Sequence, residues 1–189
     1  MNFDFFDART IYLFIYLIGI VLGAGGAFLT DAMFFSSLQD KKITESELNF
    51  LRLGSKMIWT GLALLLMSGF ALFFLDPDRY LSSDRFLAKA TIVGVIILNG
   101  LVLHAVHFPR LCRHVGQYLP SSRDFMKKSA FMFLSGVVSA VSWSTVLVLE
   151  SFKNIPYSYP QILLGYLAVL ILGSFAAIWL EKRILAVKK

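Results

Sequence analysis

Two histidines near the end of a long apolar stretch have a spacing that suits chemistry. His104 and His107 lie three residues apart, and residues at that spacing share one face of an α-helix. We therefore expect both imidazoles to point into the protein, and neutral imidazole is a common metal ligand. The pair is a candidate site for a transition metal or a haem. The alternative is two interfacial histidines that bond to neighbouring groups.

Asp31 and Asn99 are polar residues in apolar surroundings, where polar side chains are costly and often functional. Asp31 lies near the end of the first apolar stretch and is a candidate third metal ligand beside His104 and His107. It could instead pair with Lys56 or a histidine, or be solvated at a membrane interface. Asn99 lies in the middle of an apolar stretch, so it needs a partner inside the protein and is predicted to join two helices.

Lys89 begins the apolar stretch that ends with the two histidines. At ~100° per residue it falls on nearly the same helical stripe as Gly100 and His107. We expect it to interact with a haem propionate or another anion. The alternative is a lysine whose ammonium group reaches the membrane surface while its stem stays in apolar surroundings.

Hydroxyl side chains follow one face of the fourth apolar stretch. They are Ser135, Ser139, Ser142 and Thr145, with spacings of four, three and three residues. Small polar side chains of this kind commonly pack between membrane helices. The alternative is a water-lined path or the wall of a cofactor site.

Glycines are concentrated in the first apolar stretch, at Gly19, Gly23, Gly25 and Gly26. Gly19 and Gly23 form a small-xxx-small pattern, which lets another helix approach the backbone closely. We therefore predict tight packing of the first helix against a neighbour, with the approach of a flat ring as the alternative.

The elements that position these residues follow from composition. The chain has 57% hydrophobic and 16% charged residues, against about 45–50% and about 25% in soluble domains. Five stretches are long enough to cross a hydrocarbon core of about 30 Å: 11–35, 57–75, 90–108, 129–149 and 162–180. None alternates in polarity as barrel strands do. The sequence predicts an all-α fold, a single polytopic five-transmembrane-helix bundle over residues 1–189.

Local signals mark where these helices begin and end. Thr44 and Glu47 have the spacing of a capping box, so the second helix is expected to begin well before the membrane. The sequence Asp76-Pro77-Asp78 should end it. Ser121 or Ser122 is expected to cap the fourth helix, and Pro160 to lie in the first turn of the fifth.

The distribution of lysine and arginine predicts the orientation. Thirteen of the 18 basic residues fall on one side of the predicted bundle: Lys41, Lys42, Arg52, Lys56, Arg110, Arg113, Arg123, Lys127, Lys128, Lys182, Arg183, Lys188 and Lys189. That side is expected to be cytoplasmic, with the N-terminus outside and the C-terminus inside. Basic residues at helix ends also account for the net charge of +6 through lipid headgroups, so nucleic acid is not an expected partner.

The order of features resembles a loose superfamily of small bacterial membrane proteins, which includes CopD-type copper-resistance proteins and HemJ-type protoporphyrinogen oxidases. The resemblance covers the first four stretches and is carried by a glycine-rich first stretch, LNFLRLGSKMIWTGLALLLMSGFALFF and FLAKATIVGVIILNGLVLHAVHFPRL. It implies a location in the bacterial inner membrane and copper or haem chemistry, with Lys89 at the place of a required lysine. The haem-binding histidine of the family's first span has no counterpart here, so a haem would need His104 or His107.

Three functional hypotheses remain, because the chain contains no P-loop, dinucleotide fingerprint, GxSxG or HExxH motif. The leading one is a small redox-linked protein, or one that handles a haem or metal held by His104 and His107. The second is a transporter or channel for a small solute or ion, with a path along the hydroxyl face, Asn99 and Asp31. The third is an assembly or interaction subunit without catalytic activity, which binds a membrane-protein partner or a second copy.

Overall fold

A computed structural model describes residues 7–119, 122–152 and 155–185, and these are arranged almost entirely in helices, with isolated β-bridges and no β-strand among them. The helices are α1 (Ala8–Gln39), α2 (Glu45–Leu75), α3 (Pro77–Leu81), α4 (Asp84–Val102), α5 (Phe108–Arg113), α6 (Arg123–Ser151) and α7 (Tyr159–Leu185). A π-helical turn, Leu103–His107, joins α4 to α5.

Five continuous segments are long and apolar enough to cross a membrane. They are Ala8–Gln39, Glu45–Leu75, Asp84–Arg113, Phe125–Ser151 and Tyr159–Ile184. Each apolar stretch expected from the sequence lies inside one of them. The predicted all-helical fold is therefore confirmed, with five helices that are long and apolar enough to cross a membrane. This architecture suits a multi-pass membrane protein. The predicted roles of Ser121, Lys188 and Lys189 lie outside the described residues.

A capping box begins α2, and a proline shortly after its last residue prevents it from continuing. The Thr44 amide donates to Glu47 Oε2 at 2.7 Å, and the Glu47 amide donates to Thr44 Oγ1 at 3.3 Å, so the predicted capping box is present. The helix ends at Leu75 because Pro77, two residues later, begins α3 in a new direction. With 31 residues α2 is longer than a membrane span needs.

The first two helices pack through glycines, as the small-xxx-small pattern predicts. A Cβ atom at Gly19 would lie 2.7 Å from the Leu65 amide nitrogen and 2.9 Å from the Gly61 carbonyl oxygen. A Cβ at Gly23 would overlap the ring of Trp143 on α6. The predicted close approach of a helix is thus found at Gly19, and the neighbour of Gly23 is a side chain of the protein itself, Trp143.

The bundle has two ends, which we name by the charge of their loops. At the basic end α1 ends, α2 begins, and the loop after α5 folds back: the Gly116 amide donates to the Ile43 carbonyl at 2.8 Å, and the Leu119 amide to the Lys41 carbonyl at 2.9 Å. At the opposite end lie Tyr16, Lys89 and the last turn of α6. The outer face of α7 carries exposed apolar side chains such as Leu172 and Phe175, which suits contact with lipid.

Candidate functional site

The helix that carries the two histidines widens at the point where they lie. The Phe108 amide bonds to the Leu103 carbonyl, five residues back, instead of the usual four. Pro109 supplies the physical reason, because a proline has no N–H and its ring clashes with the carbonyl four residues before it. The wider turn changes which side chains share a face.

His107 and His104 consequently have different surroundings. His107 is buried, with 2% of its surface exposed, and its Nε2 lies 3.0 Å from Ser135 Oγ. Its Nδ1 atom is buried and has no hydrogen-bond partner among the described residues. His104 is exposed and stacks on Phe108 with ring centroids 6.4 Å apart. His107 is thus buried as expected, whereas His104 is exposed although it too lines the cavity described next.

A cavity of about 120 Å³ lies between α1, α2, α4 and α6, towards the basic end. Its polar lining includes Asp31, Ser55, Asn99, His104, His107 and Ser139. We call it the Asp31 cavity. It brings together five of the eight candidate site residues identified from the sequence, and the other three, Lys89, Ser135 and Ser142, do not line it.

Asp31 contributes the carboxylate of this cavity. The Ser139 hydroxyl interacts with that carboxylate across the α1–α6 interface. The Oδ2 atom is buried and has no hydrogen-bond partner among the described residues. Within the same residues Asp31 forms no ion pair, so the predicted pairing with Lys56 or a histidine is wrong. Asp31 is thus half-buried, with one carboxylate oxygen buried and without a partner among the described residues.

Asn99 joins two helices, as predicted. Its Nδ2 donates to the backbone carbonyl of Ser135 on α6 at 3.0 Å. This bond fixes α4 against α6 at the depth of the cavity and orients the amide that lines it. The residue is therefore both a structural link and part of the cavity wall.

The hydroxyls of α6 bond to three different neighbours. Ser135 contacts the π-helical turn, Ser139 contacts Asp31, and Ser142 lies 2.8 Å from the Tyr166 hydroxyl on α7. All three serines are buried. These three serines therefore pack between helices, as in the first of the two alternatives, whereas the Thr145 hydroxyl donates to the Val141 carbonyl of its own helix. Of these three serines only Ser139 lines the Asp31 cavity, so the three hydroxyls do not line one continuous path for a solute.

Lys89 lies at the opposite end in a cluster that the sequence did not reveal. Its Nζ is 2.6 Å from Glu150 Oε2, and the Tyr16 hydroxyl donates to the same oxygen at 3.3 Å. The ammonium also lies 5.4 Å from the centroid of the Tyr16 ring. We call these three residues the Lys89 cluster. It ties α1, α4 and α6 together, and Lys89 is not a simple surface-reaching lysine.

Tyr16 and Glu150 were missed because their sequence separation from Lys89 is large. Glu150 is the acidic residue that ends the fourth apolar stretch, on the same predicted side as Lys89. A search for opposite charges at matching depths would have paired them. Tyr16 carries no comparable signal, since a tyrosine near a membrane interface is common.

The predicted metal and haem sites find no support in this geometry. Among residues 7–119, 122–152 and 155–185, no three His, Cys, Asp or Glu side chains are grouped to hold a metal ion. The cavity has room for about four water molecules at ~30 Å³ each, which is too little for a haem. Lys89 precedes His107 by 18 residues, or about 27 Å along a helix. These positions do not fit one haem, and the haem and metal hypotheses stay predictions.

His114, for which the sequence indicated no role, is a buried link at the basic end. Its Nδ1 lies 2.8 Å from the Arg110 carbonyl, so this nitrogen carries the proton. Its Nε2 lies 2.8 Å from Ser122 Oγ, which accepts from the Phe125 amide as the N-cap of α6. The imidazole thereby connects α5 to the start of α6 and confirms Ser122 as the cap.

Comparison with known proteins yields no match: no family model, no curated protein and no solved structure is significantly similar to this chain. The resemblance to the CopD-type and HemJ-type superfamily stays a prediction. What the chain does must therefore be argued from its own residues, and the described structure supports a small integral membrane protein with five apolar helices.

Proposed function

We propose that this chain is a small membrane carrier that binds a polar solute or an ion in the Asp31 cavity. The observation that carries the proposal is the buried Oδ2 of Asp31, which has no partner among the described residues although a cavity lies beside it. Burying a charged group without compensation costs several kcal/mol. Ionisable residues inside membrane proteins commonly mark a substrate or ion pathway for that reason.

The position of the cavity supports a carrier in preference to an open pore. Trp143 lines it, and its indole is 1% exposed and packs against Gly23. Beyond Trp143, towards the opposite end, lies a cluster of buried apolar residues that includes Ile20, Ile92 and Val146. A polar solute could not pass this cluster without rearrangement of the helices, so transport would require a change of access from one end to the other.

Among the three hypotheses drawn from the sequence, the geometry favours transport. Three of the residues expected along a solute path, Asp31, Asn99 and Ser139, line one small cavity, and His107 lines it with them. A redox or haem function would need a larger space or a ligand group, and an assembly subunit would not need an enclosed carboxylate. Both of those functions stay predictions.

The test is flux in liposomes reconstituted with the purified full chain. We would measure entry of H⁺, Na⁺, K⁺, guanidinium, methylammonium, acetate and phosphate into the vesicles. The wild type should move at least one of these, Asp31→Asn should abolish that flux, and Asp40→Asn should preserve it. Asp40 is a suitable control because it is an exposed aspartate at the end of the same helix. Equal flux in the wild type and Asp31→Asn for every probe would overturn the proposal.

We further propose that the basic end faces the cytoplasm of a bacterial inner membrane. The count of basic residues supports this orientation, and Cys112 reports on it because it is exposed and lies in α5 at that end. In spheroplasts a membrane-impermeant thiol reagent should leave Cys112 unmodified, and permeabilisation should expose it. Labelling of Cys112 in intact spheroplasts would show that the basic end faces the outside, which contradicts the proposed orientation.

A further inference from the structure

We infer that the occupant of the Asp31 cavity is a small organic cation with N–H donors, of the size of methylammonium or guanidinium. This inference rests on the proposed function and names its substrate class. Four properties of the cavity carry it: the charge of the lining, the aromatic rings, the acceptors without partners, and the volume.

The charge of the lining favours a cation. Asp31 is the only acidic residue among the described residues that line the cavity, and these include neither lysine nor arginine. Two arginines lie close by but outside the lining. Arg52 is exposed over the Phe108 ring, and Arg110 has interactions of its own beside His107. A carboxylate without an internal counterion attracts a positive ligand and opposes an anion.

Aromatic rings form much of the remaining wall. Phe34, Trp59 and Trp143 line the cavity from α1, α2 and α6. Phe108 lines it as well, although the Arg52 guanidinium lies 5.9 Å from its centroid and already uses that ring. Tryptophan is the strongest cation–π partner, and aromatic walls are typical of sites for ammonium ligands. A strongly hydrated alkali ion would gain less from these rings.

Two buried acceptors favour a ligand that carries N–H groups. Asp31 Oδ2 accepts no hydrogen bond from the described residues. His107 Nδ1 is equally without a partner there, while Nε2 faces Ser135 Oγ at 3.0 Å. If Nε2 donates to the serine, Nδ1 is an acceptor. An ammonium or guanidinium group donates several N–H bonds and can satisfy both kinds of acceptor, whereas an alkali ion coordinates carboxylate oxygens but not an imidazole nitrogen, which suits transition metals.

The volume of the cavity suits a small ligand. About 120 Å³ is the space of about four water molecules at ~30 Å³ each, so a ligand of a few non-hydrogen atoms fits. Two glycines help to keep this space open. A Cβ at Gly136 would meet no atom within 4 Å, and a Cβ at Gly100 would approach only the Trp59 ring, at 3.5 Å. Because Gly136 lines the cavity, we expect a larger side chain there to reduce this space.

The experiment is tryptophan fluorescence of the detergent-purified chain. Trp59 and Trp143 line the cavity, and the third tryptophan is removed by Trp179→Phe on α7. Guanidinium, methylammonium, tetraethylammonium, Na⁺ and K⁺ are titrated as chlorides at constant ionic strength. We expect saturable signals for guanidinium and methylammonium. We expect none for tetraethylammonium, which is too large, and affinities for Na⁺ and K⁺ at least tenfold weaker.

Two matched pairs of variants locate the binding. Asp31→Asn should weaken guanidinium affinity at least tenfold, and Asp40→Asn should leave it unchanged. Gly136→Leu should abolish binding, while Gly94→Leu should not. Gly94 is an apt control because its Cβ would also meet no atom within 4 Å and it lies outside the cavity. Unchanged binding in Asp31→Asn or Gly136→Leu would place the ligand elsewhere and overturn the inference.

The outcomes separate this inference from the proposed function. Asp31-dependent binding or flux of Na⁺, K⁺ or H⁺ without organic cations would overturn the organic-cation inference and preserve the carrier. Asp31-dependent flux of an anion would do the same. Absence of Asp31-dependent flux for every probe, together with absence of binding, would overturn both.

Discussion

The two ends of the bundle each contain a carboxylate, and the two carboxylates differ in their bonding partners. Glu150, at the opposite end, is 2.6 Å from Lys89 and accepts from the Tyr16 hydroxyl. Asp31, towards the basic end, interacts with Ser139 alone and leaves Oδ2 enclosed without a partner among the described residues. At the first site Lys89 and Tyr16 both bond to Glu150 Oε2, and at the second Asp31 Oδ2 is a buried acceptor without a partner among the described residues.

This difference separates a structural site from a functional one. A satisfied ion pair holds three helices in one arrangement, and removal of one partner would leave a charge exposed to apolar surroundings. An unsatisfied carboxylate contributes little to the fold and costs stability, so its presence needs a reason outside the fold. We take that reason to be a ligand, and the same type of substitution at the two sites should therefore have opposite effects.

The largest effect is expected at Glu150. Glu150→Gln keeps the shape of the side chain but leaves the Lys89 ammonium, whose side chain is only 13% exposed, without its counterion. We expect a loss of about 2–3 kcal/mol in the free energy of unfolding, measured by thermal or denaturant unfolding in detergent micelles. Lys89→Met combined with Glu150→Gln should lose less than Glu150→Gln alone. If the double variant is the less stable, the cluster is not an ion-paired unit.

A smaller effect of opposite sign is expected at Asp31. Asp31→Asn replaces a carboxylate by a neutral amide that costs less to bury and can still bond to Ser139. We expect a gain of about 1 kcal/mol in the free energy of unfolding, by the same measurement, together with loss of ligand binding. A loss of stability as large as that of Glu150→Gln would show that Asp31 is a structural residue, and the contrast between the two ends would disappear.

The smallest effect is expected at Asn99. Asn99→Ala removes the bond from Nδ2 to the Ser135 carbonyl, which links α4 to α6 beside the cavity. Such bonds between membrane helices contribute on average about 0.6 kcal/mol, and we expect a loss of that order. A loss above about 2 kcal/mol would make Asn99 the main support of the cavity.

The difference between the Asp31 cavity and the Lys89 cluster could be predicted only in part from the sequence. The five apolar stretches could be predicted because a membrane span must satisfy its own backbone hydrogen bonds within a helix. The N-cap of α2 at Thr44 and the helix-joining role of Asn99 also follow from local patterns. Asp31 and Asn99 stood out because polar side chains are costly in apolar surroundings, and both line the cavity. The Lys89 cluster was not predicted, since Tyr16 and Glu150 are separated from each other by 134 residues and only packing brings them together.

The histidines show a second limit on what could be predicted from the sequence. Their spacing of three residues implies a shared face only if the helix is regular. Pro109 lies two residues after His107 and removes the hydrogen bond that would keep the preceding turn regular. The resulting π-helical turn buries His107 and exposes His104. A proline shortly after a histidine pair is a warning that the pair does not act as one site.

Accessibility of the Asp31 cavity to charged reagents tests the central claim most directly. In a Cys112→Ser background we would introduce Ser55→Cys, which lines the cavity, and Ser68→Cys, which is buried elsewhere on the same helix. The rates of modification by a cationic and an anionic methanethiosulfonate are then compared in detergent-purified protein.

A negative, solvent-reachable cavity predicts that Ser55→Cys reacts faster than Ser68→Cys. The cationic reagent should react about tenfold faster than the anionic one, and this preference should vanish when Asp31→Asn is added. If Ser55→Cys reacts no faster than Ser68→Cys, or if the preference is unchanged without the Asp31 carboxylate, the cavity is not a cation-binding site and the account is contradicted.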